Sequence, residues 1–145
     1  MRVFVADGSA AVCLRLTAML AETQGIEVVG STGRSYDAAR MIFDTCPDAV
    51  LLEVRLADGS GLDVLRQLKR DNPQLIVVML TNYVTPQYRR ECLNAQADWF
   101  LDKTREFDLI TEVLASLFKK RTALAVQNAS SPKPTTQQNV LGVRK

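Results

Sequence analysis

Four polar side chains each lie at, or just beyond, the end of a short apolar segment. They are Asp7 after residues 3–6, Glu53 after residues 49–52, Thr81 after residues 75–80 and Lys103 after residues 97–101. Two carboxylates can hold a divalent cation, and a hydroxyl and an ammonium can contact phosphoryl oxygens. If the fold brings them together, these residue types suit a phosphoryl-transfer or phosphate-sensing site.

The apolar segments must supply the elements that position these side chains. Five apolar runs, the four above and residues 26–30, alternate with five segments of helical period. This alternation is typical of a parallel sheet covered by helices on both faces. The functional crevice of such a sheet lies at the carboxyl ends of its strands, so the sequence predicts that the four polar side chains share one edge.

Helix signals support the alternation and mark the end of the domain. Ser9 predicts the cap of the first helix, and Thr85 followed by Pro86 predicts the start of the fourth. An apolar stripe between residues 107 and 118 predicts a fifth helix that ends at the basic residues 119–121. Residues 1–121 are therefore the predicted domain. Residues 122–145, with three basic residues and no acid, are predicted to be a disordered polar and basic tail.

Composition excludes several classes of protein. A chain of 145 residues that is 47% hydrophobic and 23% charged suits one globular domain. No apolar run approaches the roughly 20 residues that span a membrane, and Asp7 interrupts the first run too early for a secretory signal, so we expect a cytoplasmic protein without membrane association. Three widely spaced cysteines fit a reducing compartment, and the absence of histidine excludes Ser-His catalysis.

Four segments of the chain resemble the successive signatures of response regulator receiver domains. They are Val5-Ala6-Asp7-Gly8, Leu51-Leu52-Glu53-Val54-Arg55-Leu56 with Gly61-Leu62 following, Val78-Met79-Leu80-Thr81, and Phe100-Leu101-Asp102-Lys103. The resemblance covers roughly residues 1–121. It implies an α/β, flavodoxin-like (βα)5 fold with a doubly wound parallel sheet of strand order 2-1-3-4-5, and a role in two-component signalling that is not enzymatic.

The resemblance also raises the question of whether a DNA-binding domain follows the receiver. The most similar receivers precede a helix-turn-helix DNA-binding domain, and the remainder of this chain is too short and too polar to supply one. The folded part is nearly neutral and offers no recognition helix or basic face. We therefore expect a stand-alone receiver that does not contact nucleic acid directly.

Two positions depart from the receiver pattern. The family accepts a phosphoryl group from a histidine kinase on an aspartate, where this chain has Glu53, and holds magnesium with two adjacent acids, where this chain has Asp7 and Gly8. The extra methylene of Glu53 moves its carboxylate by about 1 Å or more, a misplacement that can cost about 100-fold in rate. With one carboxylate missing, Mg²⁺ binding is predicted to be lost or weak, and Asp7 and Glu53 remain the candidate ligands.

The other pocket positions match the family. Thr81 corresponds to the switch hydroxyl, Lys103 to the lysine that contacts phosphate, and Phe100 to the aromatic residue that swings inward on activation. The sequence thus predicts an atypical receiver, or pseudo-receiver, that acts by protein binding independently of phosphorylation. Glu53 is either a fixed mimic of the phosphorylated acid or a leftover charge paired with Lys103, and both interpretations stay open.

The resemblance implies a partner surface on the fourth helix, fifth strand and fifth helix. Its residues in this chain are Tyr83, Tyr88, Arg89, Arg90, Trp99 and Arg105. Tyr, Trp and Arg dominate binding hot spots, although here they could equally pack at the edge of the domain. The expected partner is a protein: a histidine kinase, another regulator or a second copy of this chain.

Two other functions fit the same architecture. A conventional single-domain response regulator would accept phosphate on another acid, such as Asp7 or Asp58. A flavin-binding protein would carry its cofactor at the same edge of the sheet. Against the flavin alternative, residues 7–10 lack a glycine-rich or hydroxyl-rich phosphate loop, so we expect no cofactor.

Overall fold

The strands form one large parallel sheet and one small hairpin in a computed structural model that describes residues 1–130. In chain order they are β1 (Arg2–Ala6), β2 (Glu27–Thr32), β3 (Ala49–Leu52), β4 (Arg55–Leu56), β5 (Gly59–Ser60), β6 (Ile76–Thr81) and β7 (Trp99–Asp102). The large sheet has the order β2-β1-β3-β6-β7, and all its pairs are parallel. Counting only these five strands, this is the expected order 2-1-3-4-5 of a flavodoxin-like α/β fold.

Residues 1–130 form five α-helices, of which the first four lie between strands and the fifth follows β7. They are α1 (Ala10–Ala21), α2 (Ser35–Thr45), α3 (Gly61–Asp71), α4 (Pro86–Asn94) and α5 (Ile110–Ser130), and a 3-10 turn at Phe107–Leu109 precedes α5. The side chains of Ser9 and Thr85 accept hydrogen bonds from the first turns of α1 and α4, which confirms both predicted caps.

Apolar side chains cover both faces of the large sheet. β3 and β6 are buried along their whole length, as expected of strands packed on both sides. One face packs against α2, α3 and α4, and the other packs against α1 and α5. Neighbouring residues of β1 alternate between the two layers, with Phe4 in the first and Val5 in the second.

The register of the sheet aligns the strand ends that carry polar residues. Ala6 of β1 pairs with Leu52 of β3, so Asp7 and Glu53 leave the sheet side by side. Across the sheet Thr81 pairs with Asp102, and Lys103 is the next residue. The predicted convergence at the carboxyl edge therefore follows from strand pairing.

The structure differs from the predicted elements in two places. The β4–β5 hairpin in the loop after β3 was not predicted. The prediction of disorder from residue 122 is wrong for residues 122–130, because α5 continues to Ser130 instead of ending at Arg121. Residues 122–130 contain neither Gly nor Pro, and Ala123, Leu124 and Ala125 are strong helix formers. The rest of the predicted tail, residues 131–145, lies outside the described residues.

One further expectation concerns membranes. Among residues 1–130, no helix combines the length and the apolar character that crossing a bilayer would require.

Candidate functional site

A lysine ammonium lies between two carboxylates at the carboxyl edge of the sheet. Lys103 Nζ donates to Asp7 Oδ2 at 2.5 Å and to Glu53 Oε1 at 2.6 Å. The side chains of Lys103, Asp7 and Glu53 are only 9%, 5% and 6% exposed. Three of the residues that the sequence placed at this edge are therefore in direct contact and shielded from water.

The remaining carboxylate oxygens are occupied by backbone donors. Asp7 Oδ1 accepts from the N–H of Ser9 at 2.9 Å. Glu53 Oε2 accepts from the N–H of Val54 at 2.5 Å and from the N–H of Arg55 at 3.3 Å. The Glu53 side chain, one methylene longer than that of aspartate, thus contacts Lys103 with one carboxylate oxygen and the backbone of its own loop with the other.

The two acids keep Lys103 protonated. Burial by itself would lower the pKa of Lys103, but the hydrogen bonds to Asp7 and Glu53 and their negative charges outweigh it and raise the pKa above its ordinary value. Lys103 is therefore a cation at neutral pH, held where its charge faces both carboxylates.

The residues present do not fit a magnesium ion as arranged here. Mg²⁺ needs open oxygen ligands in octahedral geometry, whereas the ammonium and backbone N–H groups engage both acids. A Cβ on Gly8, at the second acid position, would lie 3.3 Å from Ala57 N. The N–H of Ala57 donates to Gly33 O at 2.9 Å, which holds this backbone against Gly8. No cluster of three or more ligating side chains occurs within the described part of the chain.

Thr81 and Phe100 do not line the cleft above this triad. The cleft is lined by Asp7, Gly8, Ser9, Val12, Glu53, Arg55, Leu56, Ala57, Asn82, Tyr83 and Lys103. Thr81 is fully buried at the end of β6, and its hydroxyl accepts from the N–H of Tyr83 at 3.0 Å. Phe100 is 3% exposed, and the guanidinium of Arg89 lies 4.8 Å from its ring centroid. Both side chains are thus packed inside the domain.

The loop after β3 is closed tightly over the site. A Cβ on Gly61 would come within 1.8 Å of Glu53 O, so this position requires glycine. The N–H of Gly61 donates to Val54 O at 2.7 Å and completes the base of the β4–β5 hairpin. Glu53 is therefore fixed by the fold of its own loop as well as by Lys103.

Asp58, at the tip of the hairpin, caps a neighbouring helix. Its carboxylate accepts from the N–H and hydroxyl of Ser35, at 2.5 and 2.9 Å, and from the N–H of Tyr36 at 3.1 Å. Desolvation raises the pKa of Asp58, but these hydrogen bonds outweigh it and lower the pKa. Arg34 at the N-cap of α2 makes no side-chain cap bond, so Asp58 supplies that cap from another loop.

Arg55 is a residue of the site that the sequence did not single out. Its guanidinium lies 4.6 Å from the ring centroid of Tyr83, and the Tyr83 and Tyr88 rings meet edge to face at 6.4 Å. The turn signal Asp58-Gly59 could have pointed to the hairpin that carries Arg55.

The predicted partner surface is largely accessible. Tyr83 is 43% and Trp99 48% exposed. The surface arginines at positions 89, 90 and 105 are exposed as well. Tyr88 is half-buried against the core layer under α4. The surface therefore combines exposed aromatic rings with exposed guanidinium groups.

Comparison with known protein families assigns the chain. The family model for the response regulator receiver domain matches residues 3–115. The chain belongs to this family. Receiver domains are signalling modules of two-component systems and are not typically enzymes, so this membership favours signalling over the flavin-carrier alternative.

Individual relatives agree with the family model. The chain is similar to the response regulator protein VraR of Staphylococcus saprophyticus, with 25% identity over 126 residues, which cover 87% of this chain and 60% of that protein. This chain thus spans about three fifths of that relative's length.

Solved structures share the fold of this receiver domain. A LuxR-family DNA-binding response regulator from Staphylococcus aureus superposes with a TM-score of 0.76 at 18% identity, covering 81% of this chain and 98% of that one. A chain of the CheX–CheY complex with BeF₃⁻ and Mg²⁺ from Borrelia burgdorferi superposes with a TM-score of 0.69 at 18% identity, covering 79% of this chain and 89% of the other.

Proposed function

We propose that this chain is an atypical receiver domain that signals by binding protein partners and does not accept a phosphoryl group. The observation that carries the proposal is the contact of Lys103 Nζ with both Asp7 and Glu53, at 2.5 and 2.6 Å. That contact occupies the place at which a phosphoryl group and its metal would have to enter.

Glu53 is a poor phosphoryl acceptor for two reasons. One carboxylate oxygen is paired with Lys103 and the other accepts two backbone N–H groups, so neither is free for in-line attack. The family pattern has an aspartate at this position, and the additional methylene of Glu53 displaces the carboxylate from the geometry that an aspartate would give. Both effects raise the barrier to phosphoryl transfer.

Charge neutralisation comes from the protein in this proposal. A phosphoryl-transfer site relies on a metal ion to neutralise developing charge. Here Lys103 supplies a fixed positive charge between the two acids, and the Ala57 backbone lies against the position where the family pattern has a second acid. Mg²⁺ therefore has no part in the proposed signalling mechanism.

Glu53 serves as a fixed negative charge that stands in for the modified acid. Two observations support this role: Glu53 contacts Lys103, as the phosphoryl group of a typical receiver would, and Phe100 is packed inward. The hydroxyl of Thr81 accepts from the N–H of Tyr83 and makes no hydrogen bond to Glu53. Burial of the acid with its cation keeps the arrangement constant without modification.

The carboxylates of the alternative acceptors, Asp7 and Asp58, are also engaged by hydrogen bonds. Asp7 is held by Lys103 and by the N–H of Ser9. The carboxylate of Asp58 caps α2 and faces Ser35 and Tyr36. Phosphorylation of Asp58 would require breaking that cap.

The proposed partner is a protein that binds the exposed surface of Tyr83, Trp99 and the arginines beside them. A histidine kinase, another regulator and a second copy of the chain are the candidates. The complex of Borrelia CheY with CheX is an instance of a protein of this fold bound to another protein. Exposed Tyr, Trp and Arg side chains are the types that anchor such interfaces.

The proposal is tested by exposing the protein to acetyl phosphate with Mg²⁺ and measuring the intact mass. We expect no phosphoryl adduct on the wild type, while a receiver with an aspartate acceptor, treated in parallel, is labelled. An adduct on Glu53, Asp7 or Asp58 that disappears when that acid is substituted would contradict the proposal.

The role of the Glu53 charge is tested by pull-down of partners with the wild type and with Glu53→Gln and Glu53→Ala. We expect the wild type to retain a partner that both variants lose, because both lack the negative charge. Tyr36→Ala, a substitution remote from the predicted surface, is the matched control and should retain the partner. Equal retention by all variants would mean that the charge is incidental.

A further inference from the structure

We propose that Arg55 is the positioning residue through which Glu53 sets the arrangement of Tyr83 and Tyr88 on the partner surface. The proposal rests on the proposed function, since it explains how a buried fixed acid could influence an exposed binding surface. Arg55 belongs to both regions: its backbone N–H bonds to Glu53, and its guanidinium lies over the Tyr83 ring.

The first link joins the buried acid to the base of the hairpin. Glu53 Oε2 accepts from the N–H groups of Val54 and Arg55, at 2.5 and 3.3 Å. A glutamine at position 53 could place an NH₂ group there, which cannot accept a hydrogen bond. Neutralising the acid at constant length therefore releases the backbone at Val54 and Arg55, where β4 begins.

The rest of the hairpin is anchored independently of Glu53. The N–H of Ala57 donates to Gly33 O, and Asp58 accepts from the N–H groups of Ser35 and Tyr36. A change at Glu53 is therefore confined to the base of the hairpin, and the tip beside α2 stays in place. Tyr36, whose side chain is 87% exposed, serves as an internal reference that should not respond.

The second link joins Arg55 to the aromatic rings. The guanidinium lies 4.6 Å from the Tyr83 centroid, and its interaction with Tyr88 raises the pKa of Arg55. The backbones of Tyr83 and Tyr88 are each fixed by a threonine hydroxyl, Thr81 and Thr85. With both backbones fixed, a displacement of the guanidinium acts on the rings, which meet edge to face.

The pair Thr81 and Phe100 does not offer the same connection. The Thr81 hydroxyl is bonded to Tyr83 and not to Glu53, and Phe100 is packed in the core with Arg89 over its ring. In the described part of the chain, Arg55 contacts both Glu53 and the tyrosine rings of the partner surface.

The test is ¹⁹F NMR of the full chain with fluorotyrosine at its three tyrosines, each signal being assigned by a Tyr→Phe substitution. In the wild-type background, Glu53→Gln should shift the Tyr83 and Tyr88 signals and leave Tyr36 unchanged. In an Arg55→Ala background, the same Glu53→Gln substitution should shift neither. Arg66→Ala, an exposed arginine that pairs with Asp63, is the matched control and should preserve the response.

Two outcomes would overturn the proposal. One is a Tyr83 and Tyr88 response to Glu53→Gln that is equally large without Arg55, and the other is no response in the wild-type background. Arg55→Lys, which keeps the charge but not the planar guanidinium, should restore only part of the response. The acetyl phosphate experiment is independent of this one: an unlabelled protein without the tyrosine response would retain the proposed function and lose the role of Arg55.

Discussion

The backbone of Ala57 lies against Gly8, and a Cβ added to Gly8 would stand 3.3 Å from Ala57 N. Ala57 cannot easily retreat, because its N–H donates to Gly33 O at 2.9 Å. The β4–β5 hairpin therefore closes over the position where the family pattern has a second acid. Gly8 thus avoids a close contact with this loop, and it is also a missing ligand.

Restoring the second acid should not restore a metal site. We expect Gly8→Asp to lower the free energy of unfolding by about 1–3 kcal/mol, since its side chain displaces the Ala57 backbone. We also expect no stabilisation by Mg²⁺, because Lys103 still engages both neighbouring acids. Urea unfolding with and without Mg²⁺ measures both effects, and Gly8→Ala separates the steric part. A Mg²⁺-dependent gain in stability for Gly8→Asp would show that the site can open to metal.

Lys103, which follows β7, contacts the acids that follow β1 and β3. Substituting it should therefore lower the free energy of unfolding. Lys103→Met leaves Asp7 and Glu53 buried beside each other without a cation, and we expect a loss of about 3–5 kcal/mol in the free energy of unfolding at neutral pH. Lys119→Met, at an exposed position of α5, should change stability by less than about 0.5 kcal/mol. A deficit in Lys103→Met no larger than that of Lys119→Met would contradict this role of Lys103.

The raised pKa of Lys103 predicts that its contribution to stability is lost at high pH. A cation whose pKa is higher in the folded than in the unfolded chain contributes stability that is complete below the unfolded value, 10.5, and is lost as pH rises through the folded value. The difference in unfolding free energy between the wild type and Lys103→Met should therefore be constant between pH 8 and about 10 and fall at higher pH. Chemical denaturation at a series of pH values measures this difference. A decline that begins well below pH 10 would mean that Lys103 is not stabilised as a cation.

Much of the fold was readable from the sequence because burial leaves a pattern in single segments. The continuous apolar runs of β3 and β6 predicted strands covered on both faces, and both strands are fully buried. The β4–β5 hairpin left no such pattern, since each of its strands has only two residues. The end of α5 was misjudged because polar composition beyond the apolar stripe was taken for disorder, although residues 122–130 include good helix formers.

The sequence indicated part of the site, but not its contacts. Position after a strand was enough to bring Asp7, Glu53 and Lys103 to one edge. Their pairing depends on contacts across 96 and 50 residues of sequence, which a local pattern does not specify. The return of Glu53 Oε2 to its own loop, and the engagement of Thr81 by Tyr83, depend on side-chain rotamers and became visible only in the structure.

Substituting the exposed Trp99 tests whether this residue binds a partner or only packs at the edge of the domain. Trp99 is the only tryptophan of the chain, is 48% exposed, and borders a shallow groove with Val113 and Leu117 of α5. If it anchors a partner, Trp99→Ala should weaken binding by about 10-fold or more, because buried Trp anchors cost more than 1 kcal/mol when truncated. Titration calorimetry with a partner recovered by pull-down measures the affinity. The matched control is Tyr36→Ala, which removes an aromatic ring that is 87% exposed on α2, away from the predicted surface.

Because the wild-type indole is half exposed, covering it on binding should also move its fluorescence to shorter wavelength. If Trp99→Ala binds as tightly as the wild type while its free energy of unfolding falls, Trp99 packs the edge of the domain and the partner binds elsewhere.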